Sequence, residues 1–189
     1  TLADPINQLD NDGHGASLRL TVDFDAATLT SITAYERFNY GLTFDYDGSN
    51  GEFGHQDAKS EIEAWSQEFR LASSADGPLE WLVGAEFAKD DFTEDRDFGI
   101  ASALDIVGAA GFDSANLRYD QDTEMFAGYG QIYWQFSEAW KFDLGVRYTD
   151  ESKTYRNGDF ITYLGGAETP FYTGLKSDNS LQIWSWKTG

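Results

Sequence analysis

The sequence predicts an all-β chain of antiparallel strands in up-and-down order, about seven of them. Three observations carry this. Apolar and polar residues alternate with period two through most of the chain. Short turns alternate with long connections. Aromatic and Gly content is high, with 14 Phe, 10 Tyr, 6 Trp and 19 Gly against only 3 Pro, a balance that suits strands and turns.

Taken in order, Leu18, Leu20, Val22 and Phe24 alternate with Ser17, Arg19, Thr21 and Asp23. Asp25-Ala26-Ala27-Thr28 turns the chain. Leu29 to Tyr40 follows, with Ile32, Ala34, Phe38 and Tyr40 on one parity. Ile62 to Ala72 sets Trp65, Phe69 and Leu71 against Glu68 and Arg70. Ser73 to Pro78 is rich in Ser, Asp, Gly and Pro, the residues that make turns. Leu79 to Ala88 sets Trp81, Val83, Ala85 and Phe87 opposite Glu80, Leu82, Gly84 and Glu86. The clearest signal is a hairpin from Tyr129 to Tyr155. Its first arm sets Ile132, Trp134 and Phe136 against Gln131, Tyr133 and Gln135. Its second sets Trp140, Phe142, Leu144, Val146 and Tyr148 against Lys141, Asp143, Gly145, Arg147 and Thr149. Leu181 to Trp186 begins one more strand.

Such strands need apolar cover on one face, from a second sheet or from lipid. The connections choose between them. Short ones fall at 25–28, 73–78 and 137–139; long ones fall at about 41–60, 90–120 and 157–179, and residues 1–16 read as the end of another. Long connections gathered at one end are the habit of transmembrane barrels, with short periplasmic turns and long extracellular loops. Aromatics also gather at both ends of the apolar face, as interfacial girdles do. Trp134, Phe136 and Trp140 lie at the short-turn end; Phe38, Tyr40, Tyr148 and Tyr155 lie toward the other. The expectation is an antiparallel up-and-down transmembrane β-barrel segment. The competing reading is a soluble extracellular β-sandwich that binds carbohydrate or a cation.

Composition excludes several functions. Asp and Glu number 33 against 13 Lys and Arg, a net charge of −20. Nucleic acid is therefore no partner, since phosphate binding needs a basic surface. Cys is absent, which removes thiolate metal sites and thiol nucleophiles. Only His14 and His55 offer imidazoles, and neither sits in a recognisable catalytic pattern. A glycosidase-like pair of carboxylates is conceivable in so acidic a chain, but no pair stands out. No enzymatic activity is expected. No apolar run approaches the ~18 residues of a membrane helix, a test that barrel strands are not required to pass.

Several segments, in order, resemble the barrel of TonB-dependent outer-membrane receptors. They are Ser31-Ile32-Thr33-Ala34-Tyr35, Ser66-Gln67-Glu68-Phe69-Arg70-Leu71-Ala72-Ser73, Leu79-Glu80-Trp81-Leu82-Val83-Gly84 after the Asp-Gly-Pro turn, Gly130-Gln131, and Gly145-Val146-Arg147-Tyr148-Thr149-Asp150. The resemblance covers most of residues 17–189. It implies a barrel of about 22 strands around an N-terminal plug. It implies a bacterial outer-membrane location and import of an iron-siderophore, cobalamin or oligosaccharide. The implied partners are outer-membrane lipid, the rest of the barrel and its plug, a TonB-type energy-coupling protein, and the small nutrient ligand. The sequence contains no plug or TonB-box segment and does not end on the terminal aromatic of an outer-membrane strand. Residues 1–189 are therefore expected to be a partial barrel domain, an internal piece of a larger receptor.

Site candidates follow from the barrel reading. Glu68, Arg70, Glu86, Lys141, Asp143 and Arg147 are expected to line the lumen and to pair across neighbouring strands. Asp91, Asp95, Arg96, Tyr163 and Tyr172 are loop candidates for ligand contact, because long loops on rigid scaffolds carry binding. Asp45, Asp47 and Glu52 form a partial calcium-loop pattern, with oxygen ligands spaced around Gly48 and Gly51; Asp10-Asn11-Asp12-Gly13 is a lesser one. No other cofactor is expected. Ala101 to Gly111 reads as a short helix.

Overall fold

Seven strands, each longer than a globular strand has reason to be, make up the described chain. They are β1 (Gln8–Asp23), β2 (Ala27–Asp45), β3 (Gly54–Ser73), β4 (Leu79–Ile100), β5 (Ser114–Gln135), β6 (Lys141–Leu164) and β7 (Ala167–Thr188). The structure, a computed structural model, describes residues 7–45, 54–74, 77–100 and 113–188. All seven strands pair antiparallel with their sequence neighbours in one sheet, ordered β1-β2-β3-β4-β5-β6-β7, with β1 and β7 at the edges.

The sheet has no second layer among the described residues. Among the described residues the buried hydrophobics are Ala58, Ala115 and Ala127, and no large side chain is fully buried. A sandwich built by this chain would bury one face of each strand against another sheet. Here that face is bare: Leu18, Val83, Ile132 and Val146 stand 57, 47, 44 and 46% exposed.

Register explains the two faces. Val22, Leu29, Leu71, Val83, Gly130, Val146 and Trp186 follow one another across the sheet as direct partners. Alternation then places Leu18, Leu20, Phe69, Phe87, Phe126, Ile132, Trp134, Phe142 and Leu144 on that same side. This is the band face. The opposite face carries Glu68, Arg70, Glu86, Asp143 and Arg147 and is called the network face.

Short turns close one end of the sheet. Phe24 N–H donates to the Ala27 carbonyl at 2.8 Å, and Thr28 Oγ1 donates to Asp23 Oδ1 at 2.8 Å. Gln135 N–H donates to the Pro78 carbonyl at 2.8 Å. Trp140 N–H donates to Ser137 Oγ at 3.1 Å, closing the third turn.

The opposite end departs from the sequence reading. Most of 41–60, 90–120 and 157–179 is strand rather than loop, and β1 begins at Gln8 inside the expected loop end. The third connection shrinks to a two-residue turn at Gly165-Gly166, with φ of 58° and 80° and Leu164 paired to Ala167. Positive φ at both central residues suits the twist of a tight hairpin, and Gly adopts it without steric cost. Asp113 braces this turn: its N–H donates to the Tyr163 carbonyl at 2.7 Å and its Oδ2 accepts from Gly165 N–H at 2.7 Å. Strand register slips between Arg118 and Asp120, and again between Tyr155 and Ile161, where Asn157 has φ 53°. The expected helix at 101–111 lies outside the described residues.

Candidate functional site: a two-faced barrel wall

From β2 to β7 the band face is largely apolar near the short turns and then changes character. The change comes after Tyr35, Trp65, Phe87, Phe126, Tyr148 and Trp184, one aromatic on each of β2 to β7. Two residues further on stand Arg37, Glu63, Lys89, Glu124, Asp150 and Gln182. The aromatics form a row across the sheet. Trp65 and Phe87 lie 5.7 Å apart between centroids, and Tyr148 and Trp184 lie 4.9 Å apart. At the short-turn end Phe24, Trp81, Trp134, Phe136 and Trp140 make a second concentration, with Trp134 and Phe136 5.3 Å apart. An apolar band between two aromatic rows is how a sheet meets the two interfaces of a bilayer.

The band's polar exceptions satisfy one another. Thr33 Oγ1 donates to Gln67 Oε1 at 2.6 Å, and Gln67 Nε2 donates to Ser31 Oγ at 3.0 Å and the Ile32 carbonyl at 3.1 Å. A polar group in an apolar medium costs several kcal/mol without such partners.

Behind the band, four of the six expected lumen residues share one network. Arg70 donates to Glu68 through Nε at 2.8 Å and Nη2 at 2.7 Å. Tyr129 Oη donates to Glu68 as well. Arg147 lies over the Tyr129 ring at 5.6 Å and reaches Glu86 at 2.8 Å. The pairing therefore skips strands: β6 reaches β4, and β5 reaches β3. Small residues make this possible. Tyr129 lies flat over its partner Gly84, where an added Cβ would fall 2.3 Å from the ring. Asp143 forms a separate group, accepting from Lys187 Nζ at 2.5 Å and from Gln131 Nε2 at 2.9 Å. Lys141 pairs with Gln135 in register beside it. The sequence reading missed Tyr129; its position between Gly128 and Gly130 on the polar parity was the available signal.

The aromatics expected at the far girdle divide. Tyr148 belongs to it. Phe38, Tyr40 and Tyr155 do not; their partners Ile62, Ser60 and Gln121 put them on the network face. The reason is that the network face itself turns apolar beyond the girdle, so an apolar residue there no longer marks the band face.

The five ligand candidates stand on strands rather than loops and do not converge. Asp91, Asp95 and Tyr163 take the band-face parity, while Arg96 and Tyr172 take the other. Asp95 accepts from Asn116 Nδ2 at 2.8 Å, and Arg96 pairs with the buried Glu94. Burial, reinforced by the Glu94 carboxylate, raises the Tyr119 phenol above its ordinary value; burial also raises Tyr155, with Tyr172 and Tyr119 adding to it. Of the calcium candidates, Asp45 ends β2, with its N–H donating to Asn7 Oδ1 at 2.7 Å. Asp47 and Glu52 lie outside the described residues. The Asp10-Asn11-Asp12-Gly13 run is part of β1. No group of three metal-ligating side chains that could hold an ion occurs among the described residues.

An up-and-down sheet with an apolar outer band and a self-paired polar inner face defines a wall of a transmembrane β-barrel. Residues 2–189 match the family of TonB-dependent-receptor-like β-barrels, and the chain belongs to that family. It is a family of transporters, not of enzymes. No curated protein is close enough in sequence to count as a relative. Solved structures share the fold. The ferric yersiniabactin uptake receptor of Yersinia pestis superposes with a TM-score of 0.73 at 11% identity, over 96% of this chain and 25% of that one. The siderophore receptor PiuA of Acinetobacter baumannii gives 0.69 at 15% identity, over 97% and 30%. The ferric-catecholate import receptor Fiu of E. coli K12 gives 0.63 at 15%, over 96% and 33%. The chain thus spans a third or less of these receptors.

Proposed function

We propose that these strands form part of the barrel of an outer-membrane TonB-dependent receptor that imports a ferric siderophore. The carrying observation is the pair of rows at the end of the band: six aromatics followed by a charged or amide row, crossing the sheet with a two-residue step between β3 and β4 and another between β5 and β6. Those rows fit the boundary between hydrocarbon and the outer aqueous face. The short-turn end then faces the periplasm and the strand extensions stand above the membrane. The band face meets lipid, and the Glu68–Tyr129–Arg147 network lines the lumen, where a plug is the fitting neighbour. The siderophore class is favoured over cobalamin or sugar by the three solved receptors that share the fold.

Iron uptake tests the reading. Cells depending on the receptor that carries this sheet should accumulate radioactive iron from ferric siderophores, and should stop when the energy-coupling protein is removed. Uptake unaffected by that removal, or absent for every ferric chelate, would sink the proposal.

A further inference from the structure

Beyond the girdle the two faces exchange character. The band face turns acidic, with Asp12, Glu61, Asp91, Asp95, Asp122 and Glu124. The network face turns aromatic. Phe38, Ile62 and Phe92 are direct partners across β2, β3 and β4. Tyr119 continues the strip at 5.8 Å from Phe92, and Tyr155 stacks on Tyr119 at 4.9 Å and 25°. Phe160 and Tyr172 follow at 6.0 Å. Phe38 is exposed and the other rings are only part-buried.

Charge on this part of the network face is internally cancelled or negative. Arg96 pairs with Glu94, which is 2% exposed and also accepts from Ser60 Oγ at 2.5 Å. Lys153 pairs with Glu151 at 3.2 Å. Glu36 and Asp90 add acidity on the same side. The other basic residues of this face, Arg19, Arg70, Lys141, Arg147 and Lys187, all lie on the short-turn side of the girdle.

We infer that the strip from Phe38 to Tyr155 is a contact wall for the transported ligand, and that this ligand presents a flat or apolar face and carries no net negative charge. The inference rests on the transport reading above and narrows it. Stacked rings hold flat and apolar groups through dispersion and through the ring quadrupole, which also favours cations. A ligand with several negative charges would meet Glu36 and Asp90 while the two local cations are already engaged, which opposes its binding.

The test compares three chelates on the purified receptor: a monocationic ferric trihydroxamate, an uncharged ferric trihydroxamate and a trianionic ferric tris-catecholate. Binding is read by quenching of protein fluorescence, and uptake in cells. The cationic or neutral complex should bind most tightly. Tyr119→Ala and Tyr155→Ala should each weaken it by about three- to tenfold, while Tyr119→Phe and Tyr155→Phe should restore it. Tightest binding of the trianionic complex would overturn the inference while leaving the transport reading in place. So would Ala variants that lower the melting temperature but not the affinity, since the strip would then be packed by the protein itself. Uptake of none of the three would contradict both readings.

Discussion

At Gly84 the absence of a side chain is what allows the inner network to form. Tyr129 lies in the space a Cβ would fill, and from there it donates to Glu68 and supports Arg147. Gly84→Val should push the ring off, part Glu68 from Tyr129, and destabilise the barrel by about 1–3 kcal/mol as an overpacking change. Tyr129→Phe keeps the ring over Gly84 and removes only the hydroxyl, so it should cost less. The check is the temperature at which the folded receptor loses its heat-modifiable gel mobility. Equal melting of wild type and Gly84→Val would show that Tyr129 does not need that space. At the far hairpin, Gly165 and Gly166 hold left-handed backbone. Replacing either with Ala should cost about 1–2 kcal/mol, and it should speed hydrogen exchange at the Gly165 amide that Asp113 holds.

Each strand is built in two parts, an apolar-banded half near the short turns and an extension beyond the aromatic row. On β4 the band runs from Leu79 to Phe87 and the extension from Lys89 to Ile100. Eight residue steps at ~3.4 Å, tilted ~45°, cross about 20 Å, close to the ~25 Å band of outer-membrane barrels once girdle side chains are added. Face then decides tolerance. Val83→Arg at mid-band should cost about 2–4 kcal/mol. Ser66→Arg, on the network face of the neighbouring strand, should cost much less. Urea unfolding of the receptor in bilayers measures both, and equal costs would contradict the face assignment. The banded halves were legible where one face is wholly apolar, as in Trp140 to Thr149, and less so on β2, where Ser31 and Thr33 interrupt that face. The extensions were not. Asp90, Asp91, Glu94, Asp95 and Asp97 look like a solvated loop, since a strand with water beyond both faces has no reason to alternate strictly. The Gly165-Gly166 turn did carry a hairpin signal, a Gly pair flanked by strand residues.

For the whole molecule, the −20 charge and the apolar face are compatible because they occupy different places. Along the band face, acids gather beyond the girdle and apolar residues before it. Apolar parity separated the two faces on β3, β4 and the hairpin of β5 and β6 up to the girdle, but on β2 it gathered Ile32, Ala34, Phe38 and Tyr40, which all lie on the network face, and beyond the girdle it misplaced Tyr155. The inner network was half legible. Glu68, Arg70, Glu86 and Arg147 could be chosen by parity, but the reach of Tyr129 across β4 to Glu68 depends on Gly84, which sequence alone does not place opposite it.

In the proposed barrel wall, one face of the sheet meets lipid as far as the aromatic row and water beyond it. With no native Cys in the chain, single Cys residues can be introduced through β4 and spin-labelled in the membrane-embedded receptor. Labels at Val83, Ala85 and Phe87 should collide with dissolved oxygen and be hidden from a water-soluble nickel chelate. Labels at Leu82, Glu86 and Ala88 should show little oxygen contact, and those at Asp91 and Asp95 should meet the nickel chelate. Odd positions before Lys89 that are shielded from both reagents, as they would be beneath a second sheet, would rule out a lipid-facing band.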